Sequence, residues 1–370
     1  MSLLPTEDEV MLTDAARGFL DDAAPVDHLR GLRDAGQSRD PALWAQMAEM
    51  GWAGVLVPDA AGGADMGFAA ANVLSQEMGK TLATTPFIST AVIAATALRQ
   101  VADDRATDAL RQIAGGTLTY ALAIDEGPKH GPDTTALEAG AEGNGFRLNG
   151  RKTFVIDGAQ ADRVLLLART DGGLTLFDLP ADRDGIDKAG MPMIDSRDAA
   201  HLTFDNVAAT GDDVLGHVDD AMTVLRPALH AGQAAIAAEM AGLAAGAFGM
   251  TVSYLQERKQ FGVPIGAFQA LQHRAAHLWC EAEVTASAII HAGRMLDADP
   301  NNASLAVSLA KARATQTATL AVQEGVQMHG GIGMTDAHDM GFFMKRARVA
   351  AEWLGDYSYH AERVAGLRGF

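Results

Sequence analysis

The hydrophobic period of this chain changes twice, and that change limits its architecture more than any single motif does. From Thr6 to about Gly115 apolar residues recur at helical spacing, as in Leu43, Met47 and Met50 or Val73, Leu74 and Met78. Breaks at Pro25, Pro58 to Gly63 and Pro86 divide this region into separate helices. Between Thr117 and about Asp213 the period shortens to runs typical of strands: Thr119 to Ile124, Phe146 to Leu148, Arg163 to Ala168, Leu174 to Leu179 and His201 to Phe204. Asn149-Gly150 is a strong hairpin cue and Asp171-Gly172-Gly173 a second one. From Asp219 helical spacing returns in longer stretches. Three faces stand out: Ile236, Met240, Leu243 and Ala247; Phe268, Leu271, Ala275 and Leu278; Leu305, Leu309, Ala312 and Gln316. The connections Arg258 to Pro264, Asp297 to Asn302 and Gly330 to Gly333 each carry Gly, Pro or Asn, which suits antiparallel neighbours. The sequence thus predicts an α+β chain: an N-terminal helical domain (residues 1–115), a central β-barrel-like or sandwich domain (116–218) and a C-terminal four-helix bundle (219–370). Small residues crowd the first bundle helix (Ala234, Ala235, Ala237, Ala238, Gly242, Ala244, Ala245, Gly246) and suit tight bundling or a subunit interface.

A chain of 370 residues with 48% hydrophobic content can bury a substantial core. Its 29 basic and 47 acidic side chains give a formal charge of −18, which disfavours a nucleic-acid or anionic-membrane surface spread over the molecule. No stretch reads as the ~20 apolar residues of a spanning helix, so membrane insertion is not expected. The N-terminal residues lack the positive charge and apolar run of a signal peptide, and cytoplasmic residence is the default expectation. The single cysteine, Cys280, excludes an intrachain disulfide and is expected as a small core residue.

Specific segments resemble the acyl-CoA dehydrogenase family, and the resemblance runs through most of the chain. Met50-Gly-Trp-Ala-Gly-Val-Leu-Val-Pro58 with Gly62-Gly63 is similar to the family's first-domain loop. Gly150-Arg-Lys-Thr-Phe154 through Gly158 and Ala161-Asp162 resembles the β segment that holds the flavin ring. Arg258-Lys-Gln-Phe-Gly-Val-Pro-Ile265 with Phe268-Gln269, and Gln327-Met-His-Gly-Gly-Ile-Gly333, resemble two bundle signatures. The resemblance implies FAD as cofactor, an acyl-CoA substrate, α,β-dehydrogenation as the activity, and a dimer or tetramer, with itself or with a homologous subunit. It assigns cofactor contacts to Arg258, Gln260, Phe261, Ile265, Phe268, Gln269, Gln327, Gly330, Gly331, Phe154 and Ile156, and a substrate contact to Arg226. A guanidinium suits the two phosphates of FAD, and glycines let backbone N–H groups approach a ligand closely. His273, His277 and Glu281 share a helical face at spacings of four, a pattern that can bind zinc. No Glu follows the first His and no cysteine pair helps, so the expectation is a surface or interface histidine pair and no metal.

The reaction needs a carboxylate to take the proton from the carbon beside the thioester. The family keeps a Glu in the position read here as Leu354, and a minority place it at the position of Leu225. Neither leucine accepts a proton. Glu352, Asp356 and Glu239 are the displaced candidates. The flavin-edge segments are also altered, to Ile124-Asp-Glu-Gly-Pro128, Gly131-Pro-Asp133 and Phe154-Val-Ile-Asp157, so that Ile124 and Ile156 replace hydroxyl donors. Three readings stay open: an active dehydrogenase with a displaced base, the degenerate partner subunit of a heteromeric enzyme that supplies FAD contacts in trans, and a flavin-free scaffold that has kept only the fold.

Overall fold

The computed structural model describes residues 2–370. In chain order the helices are α1 Glu7–Ala23, α2 Val26–Asp34, α3 Pro41–Glu49, α4 Gly67–Thr81, α5 Ala95–Leu98, α6 Asp104–Ala114, α7 Ala221–Glu257, α8 Gln269–Ala298, α9 Ser304–His329, α10 Met340–Glu352 and α11 Tyr357–Leu367. The strands are β1 Tyr120–Ala123, β2 Glu138–Glu142, β3 Gly145–Ile156, β4 Arg163–Arg169, β5 Leu174–Pro180, β6 Ile186–Gly190, β7 Ala199–Thr210, and the short pair β8 Lys259–Gln260 and β9 Val263–Pro264. The order is helices, then strands, then helices, which is the α+β architecture expected. The chain folds as two compact units that cut across this order: one holds Leu32–Gly67 and Thr84–Gly232, the other Met1–Gly31, Phe68–Ala83 and Gln233–Phe370.

The first of these is built on one seven-stranded sheet, ordered β1-β4-β2-β3-β7-β6 with β5 paired to β4. Val164, Leu165, Leu166, Leu167 and Ala168 of β4 are all fully buried, so β4 reads as an unbroken apolar run because both of its faces are covered. The Asn149-Gly150 pair does not make a hairpin. The β2–β3 turn is Gly143-Asn144, with Glu142 paired to Gly145 and Gly143 at φ +58. Asn149 and Gly150 lie inside β3, where the register against β7 shifts and Gly150 takes φ +144. A Cβ on Gly150 would sit within about 3 Å of Leu137, so this glycine serves a bulge and a close strand approach rather than a turn. Asp171-Gly172-Gly173 does connect β4 to β5, with Arg169 opposite Leu174. Strands β2 and β6 escape the sequence pattern because their residues are mostly exposed and carry almost no apolar alternation.

In the other unit α9 packs against α8, α10 and α11. Ile236, Met240, Leu243 and Ala247 of α7 are fully buried, as their spacing predicts. Helices α4 and α7 touch backbone to backbone: a Cβ on Gly242 would clash with the carbonyl of Gln76, and one on Gly79 with that of Glu239. The third sequence face is corrected. Leu309 is 42% exposed and Gln316 is exposed, while α9 buries Ala306, Ala310, Ala314, Ala318 and Ala321. Helix α9 packs its small side, where neighbouring helices come closest, and the larger leucine is left outside. On α8, Leu278 is buried but Phe268, just before the helix, is 37% exposed. Cys280 is not a core residue; it is exposed on α8 beside Trp279, itself 54% exposed. The expectation that no segment is long and apolar enough to span a membrane is also corrected. Helix α7 is long and apolar enough by length and composition, but 67% of its most apolar stretch is buried inside the protein. Its apolarity is that of a core helix wrapped by others.

Candidate functional site

Arg258 follows the C-terminus of α7, and the short β8–β9 ribbon turns immediately after it. The Ile265 amide donates to the Arg258 carbonyl at 2.8 Å, which closes the ribbon. Phe261 occupies the turn at φ +53, followed by Gly262 at φ +85, and its ring is 92% exposed. Phe268 meets it edge-on, with 6.2 Å between centroids. Arg258 and Lys259 are exposed and face no carboxylate among the described residues. Gln260, Gln269 and Gln327 are exposed and Ile265 is half-buried.

The second bundle signature ends α9. Gly330 and Gly331 are exposed, with nothing within 4 Å of either Cβ position, and Gly330 has φ +64. A stack joins the two signatures. Tyr254, one helical turn before Arg258, lies 4.5 Å from His329, and His338 lies 4.4 Å from His329. His329 is anchored by Nδ1 to the Gly325 carbonyl at 2.7 Å, and burial lowers its basicity. Arg258 and Gln327 therefore stand on adjoining helix ends. The donor set suits a flavin dinucleotide: an unpaired guanidinium for phosphate, an exposed aromatic wall, and open glycine backbone.

In the sheet unit the flavin-ring segment is a bulge at the end of β3. Phe154 has φ +52 and is half-buried, Ile156 is 3% exposed, and Asp157 has φ +61. A carboxylate network holds this bend. The Asp157 amide donates to the Asp198 carbonyl at 2.8 Å, and Ser89 Oγ donates to Asp157 Oδ2 at 2.5 Å. Burial pushes the Asp157 carboxyl up to about 7, Asp198 adds to the rise, and the Ser89 bond opposes it. The Thr153 amide donates to the Asp125 carbonyl at 2.8 Å, so the altered stretch 124–128 lies against the same bend. There Asp125 holds His130 Nδ1 at 3.0 Å. Lys152, with no exposed surface, donates to the Ile124 carbonyl at 3.0 Å and to Glu126 at 2.7 Å. Burial pulls its ammonium down to about 8, against the pull of Glu126. Arg226 is exposed on α7, beside the buried Leu225.

Each displaced-base candidate has a defined structural setting. Glu239 is 4% exposed and its Oε1 pairs with Arg346 at 3.2 Å, Arg346 being wholly buried. Asp356 caps α11, accepting from the Tyr359 amide at 2.8 Å. Glu352 is exposed at the end of α10. Leu354 is 3% exposed at φ +53. His277 lies 3.8 Å from Glu281, which is also gripped by Arg313, and no three His, Cys, Asp or Glu side chains gather as a metal set among the described residues. Sequence reasoning missed Asp157, Lys152 and the Asp125–His130 pair. They are polar residues in or beside the segments 124–128, 131–133 and 150–157, which cannot be told from solvated ones before the partners are known.

The chain matches two family models, "Acyl-CoA dehydrogenase, N-terminal domain" over residues 6–117 and "Acyl-CoA dehydrogenase, C-terminal domain" over residues 221–366. It is 30% identical over 351 residues to Acyl-CoA dehydrogenase IpdE2 of Mycolicibacterium smegmatis, covering 95% of each chain. It is 29% identical over 325 residues to Acyl-CoA dehydrogenase FadE12 of Mycobacterium tuberculosis, covering 83% of this chain and 82% of that one. Among solved structures it resembles the Tcur3481-Tcur3483 steroid ACAD (TM-score 0.88, 29% identity, 98% of each chain). It shares its fold with the ChsE4-ChsE5 complex from Mycobacterium tuberculosis (TM-score 0.92, 24% identity, 100% of each chain). The three-part order, the two bundle signatures on adjoining helix ends and these matches agree: the chain belongs to the acyl-CoA dehydrogenase family of FAD-dependent oxidoreductases.

Proposed function

We propose that this chain is a cytoplasmic subunit of an oligomeric enzyme that dehydrogenates an acyl-CoA thioester between its α and β carbons, and that Arg258 and Phe261 contact FAD held mainly by a neighbouring subunit. The exposed edge at Arg258, Lys259 and Phe261 carries this reading, because an unpaired cationic pair and a bare aromatic ring are suited to an anionic, aromatic ligand. Gln260, Ile265, Phe268, Gln269, Gln327, Gly330 and Gly331 complete that edge, while Phe154 and Ile156 shape the segment for the ring and Arg226 is assigned to the substrate. When bound, FAD supplies the acceptor for the hydride that leaves the β carbon.

The proton from the α carbon must go to a base, and the engagement of two of the three candidates supports a second reading beside the first. Glu239 is committed to Arg346 and Asp356 to a helix cap. On that reading the chain is a partner subunit that contributes FAD contacts to a homologous, base-bearing subunit. The experiment is the visible spectrum of the purified chain followed by anaerobic addition of short, branched and cyclic acyl-CoA thioesters. Bleaching that stops in Glu352→Gln or Asp356→Asn supports an intrinsic base. A yellow protein that never bleaches alone but does so after co-expression with a homologous subunit supports the partner role. Colourless protein that FAD cannot reconstitute, alone or co-assembled, refutes both.

A further inference from the structure

Lys311 has no exposed surface, yet its Nζ lies 3.0 Å from the Ala350 carbonyl, 3.2 Å from Ala351 and 3.0 Å from Gly355. The first two are last-turn carbonyls of α10, which have no helical partner of their own. Three acceptors use all three N–H bonds of a protonated ammonium, and a cation at a helix C-terminus is favoured by the helix dipole. Burial pulls this ammonium down to about 7, while Glu352 and Asp356 oppose that fall. The carbonyl between, that of Leu354, receives Gln233 Nε2 at 3.1 Å and His360 Nε2 at 3.1 Å. Five hydrogen bonds from three side chains on α7, α9 and α11 thus converge on four backbone carbonyls.

What they hold is strained. Leu354 takes φ +53 and Gly355 φ +108, and a Cβ at 355 would run into Tyr359 and His360. A leucine adopts left-handed backbone only where surrounding structure over-determines it, and such outliers gather at functional positions. A helix-to-helix connection needs no such device, since an ordinary αL glycine cap ends a helix without strain.

We propose that Lys311, with Gln233 and His360, is a positioning residue that fixes the backbone at 354 so that the side chain there is aimed at the acyl group, and that this socket persists intact although it now carries leucine. The inference rests on the reading of 354 as the position of the missing base. In this chain Leu354 itself becomes an acyl contact, favouring substrates with apolar bulk beside the thioester.

The test has two arms. Deuterium uptake is measured on the wild-type chain, Lys311→Met and Gln233→Leu, the second variant removing one arm of the clamp without touching the buried charge. Amides 353–357 should exchange at least about tenfold faster in both variants, with α8 and the sheet unchanged; an unaltered loop, or loosening spread evenly over the chain, overturns the proposal. Leu354→Glu is then prepared with and without Lys311→Met, and anaerobic flavin bleaching by butyryl-, isovaleryl- and octanoyl-CoA is followed. Leu354→Glu should bleach, and adding Lys311→Met should slow it by about 10²-fold with little change in half-saturating thioester. Equal rates in the two backgrounds remove the positioning role. Absence of bleaching in Leu354→Glu, with the loop still protected, refutes instead the reading of 354 as the base position, and the chemical role of the clamp falls with it.

Discussion

Replacing Asp157 by Asn isolates a buried carboxyl whose cost depends on pH. The folded chain keeps this proton up to about 7, whereas the unfolded chain releases it near the ordinary 3.8. Between those values the native state binds more protons, so stability falls as pH rises. The burial costs nothing below the lower value and its full amount above the upper one. At ~1.4 kcal/mol per tenfold change, the rise from 3.8 to about 7 corresponds to about 4 kcal/mol, of which about 2 kcal/mol is incurred above a pH of about 5.5. Asparagine has the shape of the neutral acid, can still accept from Ser89 Oγ, and never ionises. The variant should therefore gain on wild type by about 2 kcal/mol more at a pH of about 8 than at about 5.5, an extra rise in melting midpoint of about 2–4 °C in a chain of this size. Differential scanning calorimetry of both proteins at the two pH values measures that difference of differences, in which the titrating groups not coupled to Asp157 cancel. A midpoint offset that is the same at both would refute the buried-acid argument. So would an offset larger at the lower pH.

Three further outcomes follow from the same contacts. Glu239→Gln removes a buried carboxylate from the fully buried Arg346 and should cost about 3–5 kcal/mol in urea unfolding, most of it recovered when Arg346→Met is added. Arg258→Ala should weaken FAD retention by about 10–100-fold, read as the flavin-to-protein ratio after gel filtration, because a charged hydrogen bond to phosphate is worth about 1.5–3 kcal/mol. Unchanged flavin content would remove that residue from the cofactor site. Lys152→Met strips donors from Glu126 and the Ile124 carbonyl and should lower stability by about 1–3 kcal/mol; a variant as stable as wild type would show that the pair only balances its own desolvation.

The element order was legible because periodicity separates helices from strands; on α7 the spacing of Ile236, Met240, Leu243 and Ala247 marked buried residues but no face, since every residue from 231 to 244 is buried. What failed was chemistry that depends on partners distant in the chain. Asn149-Gly150 has the composition of a tight turn, but Gly143-Asn144 turns instead, and the glycine at 150 is needed against Leu137, which no local rule reveals. Leu309 and Cys280 were misplaced because apolarity was taken as burial, whereas α9 packs alanines and α8 leaves Cys280 outside. At the site, Arg258 and Phe261 were found because their motif is contiguous. Lys311 was not, since a lysine among alanines in a helix looks solvated until the carbonyls of 350, 351 and 355 are placed around it.

Asp157 shows how a sequence departure can conserve a physical state. The resemblance sets Phe154-Val-Ile-Asp157 against a Trp-Ile-Thr-Asn-like stretch, so aspartate stands here for asparagine, a change that formally introduces a charge. Buried and bonded to Ser89, the carboxyl is neutral over most of the range below about 7, so the bend at Phe154 sees an uncharged, hydrogen-bonding group of the same size. The substitution to Leu354 is different in kind, since no environment lets leucine take a proton. Its backbone is nevertheless held by Lys311, Gln233 and His360, while Arg258 and Lys259 stay exposed and face no carboxylate among the described residues of a chain of net charge −18, where acidic side chains are plentiful. A scaffold relieved of flavin and substrate has no use for an unmatched cationic edge, a bare Phe261 ring or a strained leucine, each of which costs stability or solubility. Their presence favours a chain that still meets flavin and acyl group, and leaves the proton-transfer step as the one that the Glu352→Gln, Asp356→Asn and Leu354→Glu variants must decide.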